Sequence, residues 1–397
     1  MNKINHTERK HALLSASGAV RWLACPPSAR LEEKFEESNP TPSNIFAEEG
    51  TLAHEFGDLI LKKYNGEISE KVFNTEIKTL RGHELYSNEM EEQVDKYTSY
   101  VIEEYLKAKK VTPDAILMIE EQLDFSHIVE QGFGTGDATI ISDGTMEIVD
   151  LKYGKGIQVY AEDNPQLKLY AAGALRKFEL MYDINTIKMT IVQPRLDHRS
   201  SAEISVEELE SWGSDYVKPI ASMAYLGDGE QKAGDHCKWC KVKATCVAMS
   251  EANMNLARYE FRDPHLLSDE DLLAIYNQIP MLTDWAKSVD EYILAQALKG
   301  KKWSGYKLVA GRRQRKWIDP DEVEKILKSK RFRKKDYTQT KLLGIPAIEK
   351  LVGKSAFQGM LGEQVLTPPG KPTVVPESDK RPALGVDQAK IDFDTEI

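Results

Sequence analysis

Two aspartates and a lysine stand where a short hairpin would bring them together. Residues 134–155 read GTGDATIISDGTMEIVDLKYGK. Asp137 opens one apolar stretch, and a second stretch, Met146-Glu147-Ile148-Val149, runs into Asp150-Leu151-Lys152. Between them, Ser142-Asp143-Gly144 is a turn signal of the kind that joins antiparallel strands. Pairing of the two strands sets Asp137 close to Asp150. Side chains alternate across a strand, so Asp150 and Lys152 share one face while Leu151 points into the core. Two carboxylates suit a hard divalent cation with oxygen ligands. An ammonium beside them can hold or activate a water, or steady a phosphoryl oxygen. Asp-x-Lys alone is common and fits a solvated hairpin equally well, so the flanking elements decide the reading.

Downstream, Asp163-Asn164-Pro165 has the form of a helix N-terminus leading into QLKLYAAGAL. Gln166 and Tyr170 stand four residues apart in it and share a helix face. Upstream, GTLAHEFGDLILKKY places His54 near the start of another amphipathic helix. A lone histidine is more often structural than a ligand, but here four separated elements fit one pattern. Asp150 and Lys152 are expected to point into an open, polar cleft.

The pattern resembles the PD-(D/E)XK nuclease superfamily, in its RecB-like exonuclease branch. The resemblance rests on Gly50-Thr51-Leu52-Ala53-His54, Gly136-Asp137, Asp150-Leu151-Lys152 and Gln166…Tyr170. No proline precedes Asp137, a departure that the branch tolerates. The resemblance implies that His54, Asp137 and Asp150, with the Leu151 carbonyl, hold Mg²⁺ or Mn²⁺. It further implies that Lys152 orients the attacking water and that Gln166 and Tyr170 lie near the DNA strand. The fold it implies is α/β: a restriction-endonuclease-like core with a central mixed sheet flanked by helices.

The chain has four cysteines, Cys25, Cys237, Cys240 and Cys246, the last three spaced C-x2-C-x5-C. The start, MNKINHTERKHALLS, is polar and lacks the apolar segment of a signal peptide. A reducing, cytoplasmic setting in a bacterial cell is therefore expected, where disulfides are rare. Four thiolates suffice for one metal site, and zinc and an iron–sulfur cluster both accept them. The spacing alone does not choose. AddB-type and CRISPR-associated RecB-like nucleases place one cysteine before the nuclease core and three after it. Likeness to them implies a [4Fe–4S] cluster, with Zn²⁺ the alternative, stapling the N-terminal segment to the far side of the core.

Net charge is −10 over 397 residues, unusual for a protein that meets nucleic acid, but the charge is uneven. Residues 301–357 hold 17 Lys+Arg against 6 Asp+Glu, a balance of +11 that leaves −21 for the rest. Basic runs at 311–317 (Arg312, Arg313, Arg315) and 328–337 (Arg331, Arg333, Lys334, Lys335) each include aromatic residues. That combination suits phosphate contact with base stacking, although solvated basic surfaces are also common. No apolar run approaches a membrane span.

Patterning predicts a short helix within 11–33 and helices at 46–65 and 86–109. Strands follow at 115–124, 133–141 and 145–152, a helix at 163–178, a strand at 186–193 and a helix at 205–226. Helix-strand-strand-strand-helix-strand is the core order of the superfamily. The expected organisation is a nuclease domain with the cysteines at 1–250, a helical basic region at 251–365, and a Pro-rich extended or flexible tail at 366–397. The whole chain, including Ser378-Asp379-Lys380-Arg381-Pro382-Ala383-Leu384, resembles a phage- and prophage-associated family carried under an uncharacterised-domain label. That likeness implies processing of single- or double-stranded DNA ends in phage replication or recombination, beside a phage single-strand-binding or annealing protein. Two functions follow: a metal-dependent DNA exonuclease, or a non-cleaving DNA-binding or scaffold protein of the same fold. The intact set of acids, lysine, glutamine and tyrosine favours the first. No GxxxxGK[ST] motif is present, so unwinding would need a partner.

Overall fold

The computed structural model describes residues 12–39, 45–254, 268–311, 315–338, 342–366 and 370–384. The chain divides into two compact units, Met1–Leu282 and Thr283–Ile397. The break thus falls after the expected position at 250.

The first unit begins with helices α1 (Ala19–Ala24), α2 (Ser28–Ser38), α3 (Ile45–Tyr64), α4 (Glu70–Arg81) and α5 (Asn88–Val111). Ser69 and Ser87 cap α4 and α5, each side chain accepting from a first-turn N–H. Strands β1 (Ile116–Asp124), β2 (Phe133–Ile141) and β3 (Gly144–Leu151) follow, then α6 (Pro165–Phe178), β4 (Ile184–Gln193) and β5 (His198–Ser205). The five strands form one sheet in the order β1-β2-β3-β4-β5. β3 and β4 run parallel across the α6 crossover, and the other neighbours are antiparallel. Gly144 closes the β2–β3 turn at φ 85°, a conformation that costs glycine little. Helices α7 (Val206–Ser211), α8 (Lys218–Leu226) and α9 (Val247–Met254) come next, with a π-helical segment, Trp212–Val217, joining α7 to α8. Helix α10 (Asp269–Leu298) contains the division between the units.

The sheet buries both faces. On one, Ile141, Met146, Ile148, Ile187 and Met189 pack with Leu167, Ala171 and Ala174 of α6 and with Trp22. On the other, Leu117, Ile119, Ala138, Ile140, Val149 and Leu151 pack with Tyr97, Tyr100 and Val101 of α5. A third cluster ties α3 to α4 and α5 through Leu52, Phe56, Ile77, Met90 and Val94. β1 changes sides along its length: Leu117 and Ile119 face α5, whereas Leu123 faces α6. The switch falls at Glu120, whose φ of 51° is left-handed.

The second unit contains β6 (Tyr306–Gly311), β7 (Lys316–Trp317), α11 (Pro320–Ser329), α12 (Lys334–Tyr337), α13 (Ile345–Val352), α14 (Lys354–Leu361), β8 (Val365–Leu366) and β9 (Gly370–Pro376). β6 pairs with β9 and β7 with β8, both antiparallel. Its small core is Val323, Leu327, Tyr337, Ile345, Ile348, Phe357 and Leu361. Part of the Pro-rich segment, expected to be extended or flexible, is a paired strand. Among the described residues, no helix is long and apolar enough to cross a membrane.

Candidate metal centre

Antiparallel pairing of Ala138 with Val149 places Asp137 opposite Asp150, as the turn signal required. The Leu151 N–H donates to Asp137 Oδ2 at 2.7 Å, which fixes that carboxylate against β3. The other oxygen, Oδ1, lies 3.2 Å from His54 Nδ1. His54 reaches it from α3, where the buried Leu52, Ala53 and Phe56 seat the helix. Glu120 completes the group. Its Oε1 lies 4.0 Å from His54 Nδ1, and one ligand atom each from His54, Glu120 and Asp137 lie within 4.8 Å of one another. Glu120 was not among the expected site residues. The left-handed backbone that brings it there has no signature in the Ile119-Glu120-Glu121 string.

Asp150 departs from the expectation of an open cleft, being only 2% exposed. Lys152 Nζ lies 2.8 Å from Asp150 Oδ2, an ion pair on a buried oxygen. Gln166 links the pair: it accepts from Lys152 Nζ at 3.1 Å and donates from Nε2 to Asp150 Oδ1 at 3.1 Å. The same amide approaches the Tyr170 hydroxyl at 3.2 Å. Asn164 sets the glutamine's place by capping α6, its side chain accepting from the Gln166 and Leu167 N–H groups, with Pro165 in the first turn. Tyr170 is both packed and polar. Its ring is 7% exposed within the α6-side core, and a Cβ on Gly134 would sit 2.7 Å from its Cε1, so only glycine fits there. Leu151 buries its side chain on the α5 side, as expected.

The crowding of acids shows in their protonation. Burial, then the Asp137 charge, lifts Glu120 to about 7. Burial raises the Asp150 carboxyl too, against the pull of Lys152. For His54, burial opposes the imidazolium, yet Asp137 and the other acids outweigh it and raise the ring to about 9. Burial also opposes the Lys152 ammonium, and the Asp150 charge again prevails. The centre is thus a cluster of acids short of positive charge, which a bound cation would relieve. A cleft of about 440 Å³ leads to it, lined by Gly50, Thr51, His54, Glu120, Asp137 and Tyr170.

Cys25, far away in sequence, lies beside the segment that carries Cys237. Cys25 follows α1, which packs on the turn at Asp235–Trp239. His236 Nε2 lies 2.9 Å from the Lys232 carbonyl, and the Cys240 N–H donates to the Cys237 carbonyl at 3.0 Å. Cys25, Cys237 and Cys240 are buried free thiols, and Cys246 is half-buried. Burial, with Glu32 nearby, pushes Cys240 up to about 12, and burial raises Cys237 as well. Cys246 lines a separate depression against Leu31 and Phe35 of α2.

In the basic region, Arg312 and Arg313 lie outside the described residues. Arg315 pairs with Glu349, Arg333 with Asp336 and Lys334 with Glu324, while Arg331 and Lys335 are exposed. Of the aromatic residues of these runs, Tyr337 is 1% exposed and closes the core of the second unit, so it does not stack bases, whereas Trp317 and Phe332 are half-buried against that core, Trp317 with its ring centroid 5.9 Å from that of Phe357.

Among solved structures, the chain is similar to one described as "Crystal structure of SSO0001", at 14% identity over 49% of this chain and 85% of that one, with a TM-score of 0.22. A likeness of that degree carries no argument here. The family model described as "Protein of unknown function (DUF2800)" matches residues 11–382, nearly the whole length, and the chain belongs to that family.

Proposed function

We propose that the chain is a divalent-metal-dependent deoxyribonuclease of the PD-(D/E)XK type, an exonuclease acting on DNA ends in phage replication or recombination. The observation that carries this reading is that His54, Glu120 and Asp137 converge on one cleft while Asp150, buried behind it, is held to Lys152 directly and through Gln166. Incidental surface acids would not bury Asp150 against a lysine ammonium and a glutamine amide. Oxygen donors with one imidazole, starved of positive charge, fit Mg²⁺ or Mn²⁺. A bound ion of this kind would polarise the scissile phosphodiester and acidify a water. The chain's own residues supply positioning. The Lys152 ammonium has three protons; one faces Asp150 and one is held by Gln166, which leaves the third to hold a water or a phosphoryl oxygen. Leu151 N–H and His54 fix the two oxygens of Asp137. Cys25, Cys237, Cys240 and Cys246 are assigned to a [4Fe–4S] cluster, with Zn²⁺ the alternative, in a stapling role, since phosphodiester hydrolysis moves no electrons. Arg331 and Lys335, unlike their paired neighbours, are free to meet a DNA backbone.

The test is digestion of end-labelled single- and double-stranded DNA with Mg²⁺ or Mn²⁺, comparing wild type with Lys152→Ala. Release of short products from DNA ends, abolished by the variant and by chelation, is expected. Absence of divalent-dependent cleavage by the wild-type protein, or equal cleavage by the variant, overturns the reading.

A further inference from the structure

A second cavity, of about 370 Å³, lies against α6. Its α6 residues, Ala172, Leu175 and Arg176, with Glu179 at the helix C-cap, lie across the helix from Gln166 and Tyr170 by helical periodicity. With Ala172 and Leu175, Ile128 and Leu209 make an apolar floor. The wall is closely fitted: a Cβ on Gly213, in the π-helical segment, would meet Ile128 Cδ1 at 2.7 Å. π-Helical insertions of this kind recur at functional sites. On the rim stand Arg176 and Lys218, both exposed, and among the described residues neither has an ion-pair partner. Glu179 and Glu210 share the rim without pairing to either cation. His127 completes the lining, its ring held below its ordinary range by burial and then by Arg176. Asp124 and Glu179 act on the ring in the opposite sense.

We propose that this cavity is a docking site for the C-terminal residue of a partner protein, whose apolar side chain fills the floor while its α-carboxylate meets Arg176 and Lys218. An apolar floor under two uncommitted cations matches a ligand with an apolar body and an anionic head. The glutamates choose among such ligands. A single carboxylate can sit on the cations' side of the rim, whereas a run of phosphates must also pass the glutamates, which can instead accept the N–H groups of a peptide leading out of the cavity. The volume suits one side chain with its carboxylate rather than a long hydrocarbon chain. The site is independent of the cleavage chemistry.

The experiment is fluorescence anisotropy on the full chain with a labelled octapeptide of alternating glycine and serine ending in phenylalanine. It is run as the free acid and as the C-terminal amide, beside a labelled single-stranded octanucleotide. Saturable binding of the acid is expected. The amide should bind at least about tenfold more weakly, the loss of one charge-assisted contact. The double variant Arg176→Ala/Lys218→Ala should lose the acid to the same degree, with an unchanged urea midpoint and unchanged octanucleotide binding. Equal binding of acid and amide, no saturable binding at millimolar peptide, or an unaffected double variant overturns the proposal. Displacement of the peptide by the octanucleotide also overturns it and marks a nucleic-acid surface instead.

Discussion

Lys152 and Asp150 should not be equivalent in stability, although removing either should abolish cleavage. Asp150 is 2% exposed, and the Lys152 side chain keeps 28% of its surface in water. Lys152→Ala leaves a buried carboxylate facing Asp137, with only the Gln166 amide donating to it. Breaking a buried pair in this sense costs about 3–5 kcal/mol. Asp150→Asn removes the same attraction but also the desolvated charge and its repulsion with Asp137, and the ammonium it leaves behind keeps the Gln166 amide oxygen as an acceptor. A net cost below about 2 kcal/mol is expected, because these gains offset the lost pair. The assay is urea unfolding at neutral pH in chelator at ~0.15 M salt, where screening of exposed charges is strong and of buried ones weak. Lys152→Ala should have the lower midpoint by a clear margin. Equal midpoints, or a lower one for Asp150→Asn, would refute the argument that the buried acid and not the lysine is the costly member.

Other consequences concern neighbouring parts of the molecule. Tyr170→Phe should keep stability within about 1 kcal/mol and slow turnover, whereas Tyr170→Ala should cost about 3–5 kcal/mol through the cavity left against Gly134; normal turnover of Tyr170→Phe would mark the hydroxyl as idle. Mn²⁺ should raise the melting temperature of wild type and not that of Asp137→Asn, because a cation binding only the folded site stabilises it; an equal rise in both would place the ion elsewhere. Burial lifts the Glu147 carboxyl above its ordinary 4.5, so the folded state holds that proton to higher pH than the unfolded chain. Its contribution is therefore fullest below pH 4.5 and is lost as pH rises through the lifted value. Glu147→Gln should flatten that decline, which urea midpoints at pH 4.5 and 7 would reveal. Protein purified without oxygen should be brown with about four irons per chain; a colourless protein with one zinc would discard the cluster and keep the staple.

The hairpin and its acids were legible because two local signals agreed, a turn string and a period-2 pattern, and the pairing of Ala138 with Val149 follows from them. The α6 start was legible for the same reason, since Asn164-Pro165 is a chemical cap as well as a pattern. Glu120 was not, because its place depends on one residue leaving extended geometry, after which β1 presents the opposite face. β5 escaped notice because it is half exposed along its whole length and carries few apolar residues. β9 was hidden by its prolines, which forbid a central strand but are tolerated in a two-stranded ribbon, where one side needs no donor. Tyr337 of the basic runs misled because composition does not tell an exposed ring from a core ring.

His54 and the acids belong to different layers. The histidine rides on α3, whose apolar partners are mainly α4 and α5 with Leu61 reaching the sheet, while Asp137 and Asp150 are fixed by strand pairing. Layers joined by few apolar contacts can part locally at less than the cost of global unfolding. A molecule in which α3 has lifted keeps its sheet and loses its imidazole. The same holds during synthesis: α3 emerges well before β2 and β3, so the histidine waits for its acids. Completion of the centre is thereby coupled to docking of α3 on a finished sheet, and half-made or half-opened chains lack the full ligand set.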